Sequence, residues 1–232
     1  MSIADNLLKY KKELAGENVE LIAVSKNNGN DAIMEAYQAG QRIFGENIVQ
    51  ELTEKQASLP ADIQWHLIGH LQTNKVKYIA PFISLIQSVD SLKLLAEINK
   101  QAERHHRVID CLLQIYIADE ETKFGLDHAE VIELLRSPLY LEMKNIRITG
   151  LMGIASNQAE EKQTKDEFEE LKVLFDGIKL SFFRKEDSFK VLSMGMSGDY
   201  KLAIEEGSTM VRIGSSIFGA RKIKPVKASD GY

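Results

Sequence analysis

The feature that most constrains this chain is a regular alternation of short apolar segments with longer amphipathic ones along almost its whole length. Eight short segments are rich in β-branched and apolar residues, and several are apolar at consecutive positions, as in residues 21–24. Strands that are apolar on both faces are typical of a parallel sheet covered by helices. The predicted strands are Glu20–Ser25, Arg42–Gly45, Gln64–Ile68, Ile83–Val89, Val108–Ile117, Ile146–Met152, Lys190–Ser193 and Met210–Ile213.

The segments between these strands have the spacing of amphipathic helices. Apolar residues recur at three- and four-residue steps in Glu160–Lys179 and again in Ser91–Glu103. An extra helix, Ile3–Leu14, is predicted before the first strand. Eight βα repeats favour a closed (β/α)8 TIM barrel over an open sheet. We therefore predict a single α/β barrel domain over residues 1–221 and a flexible C-terminal tail over 222–232.

Charge and cysteine content narrow the classes of function. The net charge of −5 argues against a nucleic-acid partner, which needs a basic face, so any anionic ligand must be held by a local pocket. The single cysteine, Cys111, lies in an apolar run and is interpreted as a small buried hydrophobe. The chain lacks the pattern of a signal peptide and has no apolar run of about 18 residues. We expect a cytoplasmic protein with no membrane partner.

Lys26 is the first candidate for chemistry, because active sites of (β/α)8 barrels lie at the C-terminal ends of the strands. It directly follows the first predicted strand, and strand alternation places it on the face of Ile22 and Val24. If that face points inward, desolvation favours the neutral amine, which attacks an aldehyde to form a Schiff base. This motif alone leaves a surface lysine beyond a strand as the alternative.

The segments after the seventh and eighth strands have the densest glycine and serine content of the chain. Barrels of this class commonly bind phosphate with these two loops. Glycine permits close approach of the backbone, and hydroxyl and N–H groups can surround an anion. We predict a phosphate site here rather than ordinary turns. Ser197 is also predicted to N-cap the helix that follows it.

Arg212 stands inside an apolar strand, on the same face as Met210. A buried charge is costly unless it is paired or hydrogen-bonded, so Arg212 either forms an ion pair with an acid or serves a ligand at the barrel mouth. Glu46 and Asn47 close the second strand, where both are near enough to reach a pocket at the mouth. His66 and His70 lie four residues apart, but in a strand that runs into a loop, so no metal site is predicted.

Six spaced motifs over about residues 3–221 together resemble one family, the pyridoxal phosphate homeostasis proteins, which are related to the barrel domain of alanine racemase. The motifs are Val24-Ser25-Lys26; Phe44-Gly45-Glu46-Asn47; Trp65-His66-Leu67-Ile68-Gly69 with Leu71-Gln72-Thr73-Asn74-Lys75; Gly150-Leu151-Met152; Leu192-Ser193-Met194-Gly195-Met196-Ser197; and Val211-Arg212-Ile213-Gly214 with Ile217-Phe218-Gly219.

The resemblance implies a cofactor, pyridoxal 5′-phosphate, and a role for each residue that matches a family position. The implied roles are Lys26 for the internal aldimine, Ser197, Gly214 and Ser215 for the phosphate, Arg212 for the pyridine nitrogen, and Asn47 and Met194 for the lining of the cofactor site. An arginine has no acceptor and stays charged, so it disfavours a protonated pyridine nitrogen. The cofactor is then a poor electron sink.

Three functions are compatible with these features. The first is a non-enzymatic protein that buffers pyridoxal phosphate and delivers it to apo forms of enzymes that use it. The second is an amino-acid racemase that uses Lys26, and the third is a Schiff-base aldolase. In alanine racemase the second base comes from a domain after the barrel; because only about a dozen residues follow Gly219, we expect that domain to be absent and favour the first function. We expect a monomer, with a dimer as the alternative.

Overall fold

The computed structural model describes residues 2–118, 124–156 and 159–219. Eight parallel strands form a closed barrel in chain order, with β8 paired to β1. This confirms the predicted (β/α)8 TIM barrel. The strands are β1 (Glu20–Val24), β2 (Ile43–Glu46), β3 (Gln64–Leu67), β4 (Leu85–Val89), β5 (Ile109–Ile115), β6 (Ile146–Gly153), β7 (Val191–Met196) and β8 (Met210–Ile213).

Helices cover the outside of the barrel. The predicted N-terminal helix is present and begins with a capping box, in which the side chains of Ser2 and Asp5 accept hydrogen bonds from each other's backbone N–H. The described helices are α1 (Ile3–Glu13), α2 (Asn30–Gln38), α3 (Val49–Ser58), α4 (Val76–Ile79), α5 (Leu92–Arg104), α6 (His128–Arg136), α7 (Pro138–Leu141), α8 (Glu161–Phe182), α9 (Tyr200–Glu205) and α10 (Ser215–Phe218).

The apolar side chains form two cores, one on each face of the sheet. The smaller core fills the inside of the barrel and is formed by Ile22, Leu85, Leu112, Met152 and Met210. The larger core lies between the sheet and the helices and includes the buried Cys111. Burial raises the pKa of that thiol, in agreement with its interpretation as a structural residue. Covering both faces explains why strands such as β4 are buried at every position.

Three further sequence-based expectations concern the C-terminal tail, a membrane span and a metal site. The predicted tail, residues 222–232, lies outside the described residues. Within the described ranges, no helix combines the length and apolar character needed to cross a membrane. The same part of the chain contains no group of three or more histidine, cysteine, aspartate or glutamate side chains arranged to hold a metal ion.

Candidate functional site

A cavity of about 270 Å³ opens at the C-terminal ends of the strands, where the site is expected in this fold. Six of the seven predicted site residues line it, namely Lys26, Asn47, Ser197, Arg212, Gly214 and Ser215. A larger groove of about 850 Å³ lies between α6 and the N-terminal end of α5, and none of the seven residues lines it. We therefore take the smaller cavity as the candidate site.

Lys26 reaches the cavity because the inward-facing series of β1 continues past Val24 before the chain turns at Asn27. Val24 lines the same cavity and Ile22 lies below it in the inner core, which confirms the predicted alternation. The N–H of Ser25 still bonds to the carbonyl of Gly45 on β2, and Asn27 adopts a left-handed conformation with φ of 63°. Lys26 thus lies two residues beyond the end of β1 and continues the inward-facing series of Ile22 and Val24 into the barrel mouth.

The loops after β7 and β8 meet on the other side of the cavity. The N–H of Gly214 donates a hydrogen bond to the hydroxyl oxygen of Ser197 at 3.4 Å. A Cβ atom at Gly214 would lie 3.3 Å from Val24, closer than most side-chain contacts, so glycine suits this narrow position. The predicted N-cap role of Ser197 is wrong, because α9 begins at Tyr200 and its N-cap residue is Asp199. The Ser197 hydroxyl faces Gly214 instead.

Met194 is the predicted residue that does not line the cavity. Its side chain is fully buried in the outer core, while Met196 lines the cavity. The pairing of β7 with β8 shifts between Ser193 and Met196, as in a β-bulge, and Gly195 there has φ of 93°. This irregularity reverses the alternation, so that Ser193 and Met196 both face inward.

Arg212 lies at the floor of the cavity and is 4% exposed. Its Nη1 donates to the Ser193 hydroxyl at 2.6 Å and its Nη2 to the carbonyl of Gly153 at 2.8 Å. Among the described residues it forms no ion pair, and the acid that acts on its charge, Asp199, does so from beyond ion-pair distance. Burial lowers the pKa of Arg212 to about 10, so the guanidinium remains charged at neutral pH.

A chain of neutral side chains continues from Arg212 through the inside of the barrel. The Ser193 hydroxyl donates to Gln87 Oε1 at 2.7 Å, and Gln87 Nε2 lies 3.1 Å from His66 Nδ1. Burial lowers the pKa of His66 to about 3, so this imidazole is neutral and its Nδ1 accepts from the amide. We call Arg212, Ser193, Gln87 and His66 the Arg212 network.

Asn47 and Glu46 lie next to each other at the end of β2 but face opposite sides of the sheet. Asn47 lines the cavity, and its buried Oδ1 has no hydrogen-bond partner among the described residues. An orphaned buried acceptor in a cavity indicates a missing donor, such as a ligand or water. Glu46 is fully buried on the helix side, where it bonds to Ser25 and Lys55, so it does not reach the cavity as expected.

His66 and His70, which lie four residues apart in the sequence, do not converge in space. His66 is buried inside the barrel, whereas the exposed His70 is stacked on Phe124 with 3.8 Å between ring centroids. The Nδ1 atom of His70 lies 3.1 Å from a carboxylate oxygen of Asp90. Each histidine therefore has its own local partners.

Comparison with known proteins shows the family to which the chain belongs. The model of the alanine racemase N-terminal domain matches residues 1–222. The chain is 38% identical over 222 residues to the pyridoxal phosphate homeostasis protein of Vibrio alginolyticus, covering 92% of this chain and 93% of that one. It belongs to this family. PipY of Synechococcus elongatus PCC7942, solved with pyridoxal phosphate bound, is 37% identical, with a TM-score of 0.84 over 94% of this chain and all of PipY.

The barrel of this family is also that of the racemases, at much lower sequence identity. Alanine racemase from Bartonella henselae is 18% identical, with a TM-score of 0.70 over 97% of this chain and 60% of the racemase. At this identity the likeness establishes a shared fold and nothing about activity.

Sequence reasoning missed the residues that support the site from within the barrel. Gln87 and Ser193 lie on separate strands, and no spacing in the sequence relates either of them to Arg212. Met196 was missed because the resemblance implied Met194 for the lining and the predicted strand ended at Ser193, before the bulge. Gly195 is the one available signal, since a glycine inside a strand often marks a bulge.

Proposed function

We propose that this chain binds pyridoxal 5′-phosphate reversibly in the cavity, with a covalent link to Lys26, and serves cofactor homeostasis without catalysing a reaction. The observation that carries the proposal is that six residues from four separate strand ends converge on one cavity. Names of relatives support it, since they are described as pyridoxal phosphate homeostasis proteins.

The chemistry of the lining residues fits each part of this cofactor. Lys26 supplies an amine for the aldehyde, and Ser197, Gly214 and Ser215 supply hydroxyl and N–H groups for the phosphate. The apolar side chains of Val24 and Ile154, together with Ile68, give the ring a surface to contact. The orphaned Oδ1 of Asn47 supplies an acceptor that a bound ligand can satisfy.

Arg212 supports a non-catalytic role. When bound, the cofactor supplies catalysis by withdrawing electrons into a protonated pyridine ring. Arg212 is charged and can only donate, so a pyridine nitrogen placed against it remains unprotonated. We propose that this pairing keeps the cofactor a weak electron sink while still binding it. The alternative, an amino-acid racemase using Lys26, requires a second acid–base group on the opposite face of the ring.

The first test locates the covalent link. The purified protein mixed with pyridoxal phosphate is expected to absorb visible light, and borohydride reduction followed by peptide mapping should place the adduct on Lys26. Lys26→Ala should lose both signals, whereas Lys75→Ala, which changes an exposed lysine outside the cavity, should keep them. An adduct on Lys75 in the native protein would refute the assignment.

The second test separates a carrier from a racemase. The loaded protein is incubated with L-alanine in deuterated water and, separately, with an apo form of a pyridoxal phosphate enzyme. We expect activation of the apoenzyme, weakened by Lys26→Ala, and at most slow exchange at Cα, because a pyridine nitrogen kept unprotonated by Arg212 makes the bound cofactor a weak electron sink. Rapid formation of D-alanine would establish the racemase instead.

We also propose that the protein works in the cytoplasm as a monomer, with apo forms of pyridoxal phosphate enzymes as recipients. The single buried cysteine supports a reducing compartment, because disulfides persist mainly in oxidising ones. Gel filtration at several protein concentrations tests the oligomeric state, and a concentration-dependent shift would indicate a dimer.

A further inference from the structure

A second group of buried polar side chains lies directly behind Lys26, between the ends of β1 and β2 and helix α3. It consists of Ser25, Glu46, Glu51 and Lys55, which we call the Lys55 cluster. The Nζ of Lys55 donates to Glu46 Oε1 at 2.6 Å, to Glu51 Oε1 at 2.7 Å and to the carbonyl oxygen of Ser25 at 2.8 Å. The Ser25 hydroxyl donates to the same Glu46 oxygen at 2.5 Å.

Lys55 is unusual for a helix lysine because its residue is only 5% exposed. An ammonium group has three protons, and all three are used within the cluster. Burial of a charge is tolerated only when it is paired and hydrogen-bonded, as it is here. Lys55 is therefore held by three specific hydrogen bonds and is not a solvated surface lysine.

The cluster holds the backbone on both sides of Lys26. Before it, the carbonyl of Ser25 accepts from Lys55; after it, the N–H of Asn27 donates to Glu51 Oε1 at 2.7 Å. Asn27 has φ of 63°, a left-handed conformation that asparagine adopts more readily than other non-glycine residues, and its N–H is held there by Glu51. One carboxylate oxygen of Glu51 thus connects Asn27 to Lys55.

We propose that Lys55 and Glu51 are positioning residues that fix the backbone at Lys26 and so aim its side chain at the aldehyde of the ligand. This inference rests on the proposed function. The proposal predicts that the Lys55 cluster affects only the covalent link. The residues proposed to hold the phosphate lie on the loops after β7 and β8, and the hydrogen bonds of the Lys55 cluster described above do not include them. Misplacement of a reacting group by about 1 Å can reduce a rate about a hundredfold.

The test compares two ligands that differ only in their ability to react with Lys26. Pyridoxal 5′-phosphate has an aldehyde, whereas pyridoxine 5′-phosphate has the same ring and phosphate with an alcohol in its place. Glu51→Ala should weaken binding of the first about tenfold or more and slow borohydride trapping at Lys26. The Kd for the second should change by less than about twofold.

Two further variants make the test specific. Glu51→Gln keeps an acceptor for the Asn27 N–H but loses the charge that faces Lys55, so it should restore much but not all of the loss. If Glu51→Ala does not fold, the remaining loss in Glu51→Gln decides the question, since it should affect pyridoxal 5′-phosphate and not pyridoxine 5′-phosphate. Glu54→Ala is the matched control, since Glu54 is exposed on the same helix and its carboxylate accepts a hydrogen bond from Gln50, outside the Lys55 cluster. It should leave both ligands unaffected.

The outcomes distinguish this inference from the proposed function. If the native protein fails to bind pyridoxal phosphate, the proposed function is wrong. If the native protein binds it and Glu51→Ala binds it equally well, only the positioning role is wrong. An equal loss for both ligands would also overturn the positioning role, because the cluster would then act on the cavity as a whole.

Discussion

The two buried polar groups beside the cavity each contain one cation, but they compensate its charge in different ways. In the Lys55 cluster, two carboxylate oxygens lie within 2.7 Å of the ammonium. In the Arg212 network, the hydrogen-bond acceptors of the guanidinium are a serine hydroxyl and a backbone carbonyl, both neutral. The first cation is neutralised by the protein, whereas the charge of the second remains available to a ligand.

This difference separates a stabilising role from a binding role. A buried cation that forms no ion pair lowers the free energy of unfolding, because no ion pair offsets the cost of removing the charge from water. Residues that a fold would be more stable without are typical of binding and catalytic sites. Removing Lys55 should therefore lower the stability of the protein, whereas removing Arg212 should weaken ligand binding and change the stability little.

The largest expected effect is on the stability of the protein without ligand. Lys55→Met should lower the free energy of unfolding by about 3–5 kcal/mol, because it leaves Glu46 and Glu51 without their cation. Arg212→Met should change it by no more than about 1 kcal/mol while greatly weakening pyridoxal phosphate binding. Urea denaturation measures both, with Lys77→Met on the exposed surface of α4 as the control. Equal destabilisation by Lys55→Met and Arg212→Met would show that the two cations do not differ in their effect on stability.

A smaller effect is expected at the phosphate end, which also relies on hydroxyl and N–H groups. Ser197→Ala should weaken binding of pyridoxal phosphate by about 1.5–3 kcal/mol, the value of a hydrogen bond to a charged group. Gly214→Val should weaken it further, because a side chain there approaches Val24. Titration with pyridoxal, which lacks the phosphate, is the control and should show little change. Equal binding of the two ligands by the native protein would contradict the phosphate site.

The smallest effect concerns pH, where the two groups should respond in opposite directions. The folded-state pKa of His66 is lowered to about 3 by burial, so below about 6.5 the unfolded chain binds a proton that the folded chain does not. Stability should therefore fall by about 1.4 kcal/mol for each pH unit below that value. His66→Asn should remove this slope.

Glu46 supplies the contrasting half of the pH experiment. Burial raises the pKa of its carboxyl, against the lowering effect of Lys55. Its contribution to stability is therefore present at low pH and lost as pH rises through the raised pKa. Unfolding measured at a series of pH values above 4.5, the ordinary pKa of a glutamate, should show that Glu46→Gln makes the dependence of stability on pH steeper, whereas His66→Asn makes it shallower. A change of the same sign in both variants would refute the contrast.

Several properties followed from the sequence alone because they depend on local order along the chain. Consecutive apolar residues in strands such as β1 identify a sheet covered on both faces, and eight repeats favour closure. The position of Lys26 at a strand end, and of glycine and serine after β7 and β8, needs only the rule that sites lie at the C-terminal ends of barrel strands.

Other properties depend on contacts between strands and loops that the sequence does not relate to each other. The bulge near Gly195 shifts the alternation by one residue, so Met196 rather than Met194 lines the cavity. Ser197 bonds to Gly214 across two loops instead of capping the helix that follows it in sequence. A period of two predicts which face a residue occupies only while pairing stays regular, and it carries no information about partners on other strands.

The sequence by itself therefore determined the barrel, the position of Lys26 at a strand end and the glycine- and serine-rich loops at the same end, since each follows from composition and order along one strand or loop. The tertiary structure alone decided how charge is distributed around that lysine. Arg212 meets Ser193 from the neighbouring strand, and Lys55 reaches Glu46 across the boundary between helix and sheet. Compensation of a buried charge depends on distances of a few ångströms between groups far apart in the chain, and only packing sets those distances.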